Sequence, residues 1–174
     1  GYYGKWAKWR DADIEQIKAE LAKGTPFVLR LRSEGVEGKS FKFTDLVKGT
    51  IDVSENFIDH VILKSNGIPD YHFAHAVDDH LMRTTHVVRD ESWLPSLPLH
   101  IELFRALGHK MPKYVHTAQV LKIDEETGKK RKLSKRKDPE FGLEYFYRSG
   151  YPVIVTIEYL MTLLNSNYEE WRMK

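Results

Sequence analysis

A chain of 174 residues with 41% hydrophobic side chains carries enough apolar material for one ordinary domain, or for one domain with a smaller appendage. Its 27 basic and 25 acidic residues leave a net charge of +2, which excludes a general nucleic-acid binder driven by net charge and confines any RNA contact to local clusters. No run reaches the ~18–20 apolar residues of a membrane span, the opening GYYGKWAKWR lacks the apolar core of a signal peptide, and the absence of cysteine removes disulfides and thiolate metal sites while suiting a cytoplasmic protein.

From the N-terminus, Ile14, Ile17 and Leu21 recur at helical spacing between Asp13 and Lys23. An acidic first turn and Gly24 at the position of a C-terminal cap complete the pattern of an amphipathic helix. Residues 27–32 end in an alternation that predicts a strand. Phe41-Lys42-Phe43 and Thr50-Ile51-Asp52-Val53 flank Lys48-Gly49 and predict a hairpin or small antiparallel sheet. Another strand is predicted over 58–64, stopped by Asn66-Gly67.

From Pro69 the pattern changes to alternating helices and strands. Tyr71, Ala74, His75, Asp78 and Met82 recur at spacings of three and four, and Pro69 stands at the helix start. Residues 85–89 form a short β-branched strand. Ser96 and Pro98 open a helix whose Leu99, Leu103, Phe104 and Leu107 face inward until Gly108, and 114–121 is predicted as one further strand. Strand, helix and strand at this spacing predict an α/β fold with a parallel pair, whose ligands bind beyond the carboxyl ends of the strands; Arg89 and Leu121 lie near two such ends. After Asp138 two helices are predicted, over 141–149 and 153–164, separated by Gly150-Tyr151-Pro152.

Eight basic residues crowd the stretch from Lys122 to Lys137, against Asp124, Glu125 and Glu126. A charge run of this kind, taken alone, is a solvated lysine-rich loop. Within it, Lys132-Leu133-Ser134-Lys135-Arg136 resembles the KMSKS signature of class I aminoacyl-tRNA synthetases. When a carboxylate attacks the α-phosphate of ATP, negative charge builds on the departing pyrophosphate. Two lysines on a loop, with a serine hydroxyl and backbone N–H groups between them, can close on that charge in the transition state.

KxSK recurs by chance in basic loops, and the neighbouring segments decide the matter. P-D-Y-H-F-A-H-A-V-D-D-H-L-M over 69–82, T-H-V-V-R-D-E-S-W-L over 85–94, L-F-R-A-L-G over 103–108 and the Tyr114-Val115-His116 strand precede the loop, and Y-Y-G-K stands near the N-terminus. In this order they are similar to the catalytic core of bacterial-type glutamyl-tRNA synthetases, and the V-D-D-H-L-M run favours the glutamate enzymes over their glutamine relatives. The resemblance implies ATP, accompanied by Mg2+, glutamate and tRNA as ligands, and glutamate–tRNA ligase activity for the intact enzyme.

By that resemblance Tyr71, His75 and Arg89 line the glutamate site, Arg89 supplying the guanidinium fork that a carboxylate accepts bidentately. Trp93 stands near the nucleotide, Val120 and Leu121 offer backbone groups to adenine, Lys135 contacts the ATP phosphates, and Lys132, Ser134 and Lys135 carry the chemistry of the loop. His75 departs from the small amide often found there in the family. Trp9 stands where some relatives have a zinc-binding cysteine, so no zinc site is expected.

The residues alone leave other readings open. Arg89 reads as an ion-pair partner of Asp78, Asp79 or Glu91, Trp93 reads equally as a core residue, and His72, His75 and His80 with Asp79 have spacing that metal sites use. The chain contains no H-x-G-H, the motif with which class I synthetases bind ATP phosphates at a helix N-terminus, and no other phosphate-binding glycine loop. The expected organisation is therefore a fragment: 1–67 the end of the acceptor-binding insertion, 68–138 the second half of a Rossmann-like nucleotide fold, and 139–174 the start of a helical module, with the isolated chain inactive. The rival reading is a non-catalytic tRNA acceptor-stem-binding module.

Overall fold

The computed structural model describes residues 2, 4–134 and 136–174. The chain forms two compact units, one of residues 1–45, 49–87 and 94–113, the other of residues 46–48, 88–93 and 114–174.

In the first unit, α1 (Ile14–Ala22) starts where the Asp13 carboxylate accepts the N–H of Glu15 at 2.8 Å, an N-cap that satisfies one of the orphan donors of the first turn. Its apolar stripe is not covered: Ile14 is 58% exposed and Leu21 42%. β1 (Leu29–Arg30) pairs antiparallel with β4 (Val61–Leu63), both shorter than the strands predicted over 27–32 and 58–64. β2 (Ser40–Asp45) and β3 (Gly49–Ser54) form the predicted hairpin, with Phe41 opposite Val53 and Phe43 opposite Ile51. Gly49 closes it at a φ of 71°, a left-handed conformation that side chains with a Cβ resist. Gly35 answers a different need, since a Cβ there would lie 1.9 Å from the Asn56 carbonyl oxygen.

α2 (Tyr71–Leu81) begins two residues later than Pro69 suggests, because Asp70 is the cap and accepts the Phe73 N–H at 2.8 Å. α3 (Leu97–Ala106) carries Pro98 in its first turn, where a missing N–H costs nothing. Between them lies the core, in which Ala76 of α2 packs with Leu99, Leu103 and Phe104 of α3 and with Ile62 of β4.

Strands β5 (His86–Asp90) and β6 (Lys113–Thr117) pair in a two-stranded sheet. In the first unit the Lys113 N–H donates to the Thr85 carbonyl, and in the second the Thr117 hydroxyl donates to the Arg89 carbonyl. The partners advance together along both strands, so the pair is parallel, as predicted.

The second unit corrects the single strand predicted over 114–121. β6 ends at Thr117, and a separate strand, β7 (Leu121–Ile123), pairs antiparallel with β8 (Lys130–Lys132). At the break the Ala118 N–H donates to the carbonyl of Leu164, 46 positions on, instead of to a strand. α4 (Leu143–Arg148) is shorter than the helix predicted over 141–149 because a 3-10 turn, Pro139–Phe141, precedes it. α5 (Val153–Leu164) matches its prediction, and α6 (Asn167–Arg172) was not foreseen. Among the described residues no helix is long and apolar enough to cross a membrane.

Candidate active-site groups

In the first unit, α2 brings His75 beside both Tyr71 and His72, at spacings of four and three residues. Tyr71 and His75 stack with centroids 6.1 Å apart and planes 9° from parallel. The His75 ring also lies 4.5 Å from His100 and meets Phe104 edge-on, while its Nδ1 is 3.0 Å from an oxygen of Asp79. His72 Nδ1 and His100 Nε2 are 2.8 Å apart, which requires a single N–H between two ring nitrogens. His80, the third member of the metal alternative, stacks at 3.7 Å on His109 instead. Hydrogen bonding and stacking thus engage these imidazoles, and among the described residues no group of three or more His, Cys, Asp or Glu is placed to hold a metal ion.

In the second unit, Arg89 sits near the end of β5 with its guanidinium 4.9 Å from the Tyr114 ring and 5.7 Å from the Trp93 ring. Its Nε donates to His116 Nε2 at 3.0 Å, so His116, fully buried, is neutral with its proton on Nδ1. Two fixed rings and a fixed acceptor leave the planar fork little rotational freedom. Glu91, one of the ion-pair partners proposed for Arg89, is bonded to Lys48 at 2.6 Å.

The signature loop grows from the β7–β8 hairpin, where Leu121 faces Lys132 and the Leu133 N–H donates to the Val120 carbonyl at 3.2 Å. Val120 and Leu121, assigned to adenine, are therefore neighbours of Leu133 and Lys132 of the signature loop in one ladder. Lys132 Nζ donates to Asp90 at 2.7 Å, and Asp90 also accepts the backbone N–H and the hydroxyl of Ser92. Burial opposes ionisation of Asp90, but the bonds from Lys132 and Ser92 outweigh it and bring its carboxyl down to about 2. Lys135 lies outside the described residues.

Residues 6–171 match the family described as tRNA synthetases class I (E and Q), catalytic domain. The chain belongs to this family. It is 55% identical over its whole length to the glutamate–tRNA ligase of Acetivibrio thermocellus and 50% identical, over 99% of its length, to that of Sorangium cellulosum. In each case it spans 32% of the relative, so the chain covers about a third of the length of these ligases. A crystal structure of a glutamate tRNA ligase from Elizabethkingia meningosepticum in complex with its amino acid is similar over 76% of this chain and 25% of that one, with 38% identity and a TM-score of 0.61.

Within this synthetase chain, the structure brings Tyr71 and His75 together on α2, and groups Arg89 with Trp93 near the end of β5. It joins Val120 and Leu121 to Leu133 and Lys132 through the hairpin. Sequence reasoning missed His116, His100, Asp90 and Asp138, the residues that hold the predicted ones. Asp90-Glu91-Ser92 does carry a signal: a carboxylate two residues before Ser at a strand end is the pattern of an Asx turn.

Proposed function

We propose that the polypeptide carrying this chain is a glutamate–tRNA ligase. A carboxylate oxygen of glutamate attacks the α-phosphorus of ATP, the bond to the bridging oxygen breaks, and pyrophosphate leaves with both electrons of that bond. A terminal ribose hydroxyl of tRNA then attacks the acyl carbon, and AMP departs. The observation that carries this reading is 55% identity to a glutamate–tRNA ligase across every residue of the chain, with K-L-S-K-R intact.

Each group has a task its chemistry suits. The Arg89 fork, steadied by His116, pairs with a carboxylate of glutamate, and Tyr71 and His75, stacked on α2, are the other side chains assigned to the amino acid. Trp93 borders the nucleotide, and the backbone at Val120 and Leu121 meets adenine. Lys132 exchanges the Asp90 carboxylate for phosphate oxygens, and Ser134 and Lys135 join it on the leaving pyrophosphate, whose charge grows in the transition state. Mg2+ would accompany ATP as the counterion of its phosphates.

In this reading 1–67 belongs to the acceptor-binding insertion, 68–138 to the second half of the nucleotide fold and 139–174 to a helical module. The basic hairpin faces tRNA phosphates, and the enzyme works in the cytoplasm. Charging of tRNA with labelled glutamate by the full-length polypeptide is the test: labelled acyl-tRNA that needs ATP is the expected result, and binding of tRNA with no acylation under any supply of ATP and glutamate would return the chain to a non-catalytic binding module.

A further inference from the structure

Seven cations stand in the nine positions from Lys129 to Lys137, and a segment so charged repels itself. Asp138, the next residue, is a carboxylate only 1% exposed at the end of this solvent-facing run. A carboxylate withdrawn from water needs partners, and this one has them on both oxygens. Oδ1 accepts from Arg131 Nη2 at 2.7 Å; Oδ2 accepts from Arg131 Nη1 at 2.7 Å and from the Ser134 N–H at 2.8 Å. Lys122 Nζ lies 3.8 Å from Oδ1 and is bonded to Glu140 at 2.7 Å.

The arrangement has a direction. Arg131 is fixed on β8, and its third nitrogen, Nε, donates to Asp124 at 3.1 Å, at the turn of the hairpin. The guanidinium is therefore set by the hairpin, Asp138 is set by the guanidinium, and the Ser134 amide is set by Asp138. The Ser134 carbonyl in turn accepts the N–H groups of Lys137 and Asp138 at 2.9 and 2.8 Å. Both sides of Ser134 are thus committed to backbone bonds, while its hydroxyl has no hydrogen-bond partner among the described residues.

We infer that Asp138 is a positioning residue of the K-L-S-K-R loop, acting through Arg131 and the Ser134 amide to hold the serine in the place from which it meets the leaving phosphate; this rests on the ligase reading above. The hydrogen bond from Arg131, then that from the Ser134 amide, holds the Asp138 carboxyl far below the usual carboxylate range against the opposing effect of burial. The clasp stays ionised throughout the range in which an enzyme of this kind would work.

Two roles are separable. As the partner of Arg131, Asp138 can trade places with it; as the acceptor of the Ser134 N–H, it cannot, because arginine has no acceptor. In glutamate-dependent ATP–pyrophosphate exchange by the full-length polypeptide, Asp138→Asn is expected to lower kcat about 10- to 100-fold, the range for losing a charged hydrogen bond, with KM for glutamate within about twofold of wild type. The double exchange Arg131→Asp with Asp138→Arg restores that pair but meets like charges at Asp124 and Lys122, so it should recover only part of the thermal midpoint lost by either single variant and none of the kcat. Wild-type kcat in Asp138→Asn, or recovery of kcat together with the midpoint in the double exchange, would overturn the inference.

Amide hydrogen exchange supplies a readout independent of activity. Asp138→Asn, or Arg131→Lys if the first variant does not fold, should speed exchange at the Ser134 N–H about tenfold or more. An unchanged Ser134 amide overturns the inference by itself. Absence of glutamate-dependent exchange in the wild-type polypeptide, with a Ser134 amide that does respond, strikes the ligase reading and leaves the clasp standing.

Discussion

Asp90 and Lys132 are 42 positions apart in sequence and meet at 2.7 Å, so the first lysine of the signature loop rests on a carboxylate from the strand end that also carries Arg89. Both side chains remain partly exposed, 29% for Asp90 and 49% for Lys132, and solvent screening makes the pair worth little in stability. Its consequence is for binding: the carboxylate competes with phosphate for the same ammonium group. Asp90→Asn is expected to tighten binding of inorganic pyrophosphate to the chain about 2- to 5-fold, a change that corresponds to an exposed pair, measured by calorimetry. Because the folded Asp90 titrates below its ordinary value, the tether is fully present above about pH 4 and is lost as pH falls toward about 2. Affinity unchanged in Asp90→Asn would mean that Lys132 does not meet phosphate.

Arg89 is expected to read the charge of the amino acid. In the full-length polypeptide, Arg89→Ala should raise KM for glutamate about 10- to 100-fold and erode the preference over glutamine, through loss of a charge-assisted pair. His116→Leu removes the acceptor of Nε and should weaken the same discrimination by a smaller factor, about 3- to 10-fold. Steady-state kinetics with both amino acids checks the two variants, and intact discrimination in Arg89→Ala would make Arg89 a purely structural residue.

How much of this was legible in the sequence depends on the range of the interaction. α5 was read to the residue because its apolar run is bounded by Pro152 and Asn165, and the β2–β3 hairpin because Phe41 and Phe43 alternate on one side of Gly49. The β7–β8 hairpin escaped, since Lys130-Arg131-Lys132 has no apolar alternation. What sets it is polar: the Asp124 side chain accepts from the Thr127 N–H and hydroxyl at 3.0 Å, and the Gly128 N–H closes the turn on the Asp124 carbonyl. The contacts that organise the site, Asp90 with Lys132 and Arg89 with His116, join segments that no local period connects. Motif resemblance supplied the residues assigned to ligands, and only the fold supplied the residues that hold them.

The core of the first unit gives a stability test. Leu103 is 1% exposed and packs with Phe104, Leu99, Ala76 and Ile62. Leu103→Ala should destabilise that unit by about 2–5 kcal/mol, the sum of lost transfer free energy and a cavity that α2 and α3 cannot fully close. Urea denaturation measures the difference, and a loss under about 1 kcal/mol would mean that the site collapses freely.

His60 should make the same unit acid-sensitive. Burial, then the neighbouring His72, lowers its pKa, with Arg30 acting in the same direction and Asp70 and Glu102 opposing. The folded chain binds this proton more weakly than the unfolded chain, so the contribution is complete above about pH 6.5 and is lost as pH falls from there toward the lowered folded value. His60→Gln should flatten the decline of the urea midpoint between about pH 7 and pH 5. A wild-type midpoint that does not move across this interval would contradict the assignment.

Amino-acid-dependent ATP–pyrophosphate exchange by the full-length polypeptide, measured with tRNA present, tests the central claim most directly, because it reports adenylate formation apart from acyl transfer. The expected result is exchange driven by glutamate and not by glutamine, lowered about 10²–10³-fold by Lys135→Ala, the scale for removing one preorganised donor, and lowered less by Lys132→Ala, with KM for glutamate little changed in either. The 174-residue chain, which contains no H-x-G-H, should give no exchange above a blank. Full-length wild-type protein without glutamate-driven exchange, or a Lys135→Ala variant at the wild-type rate, would contradict the account.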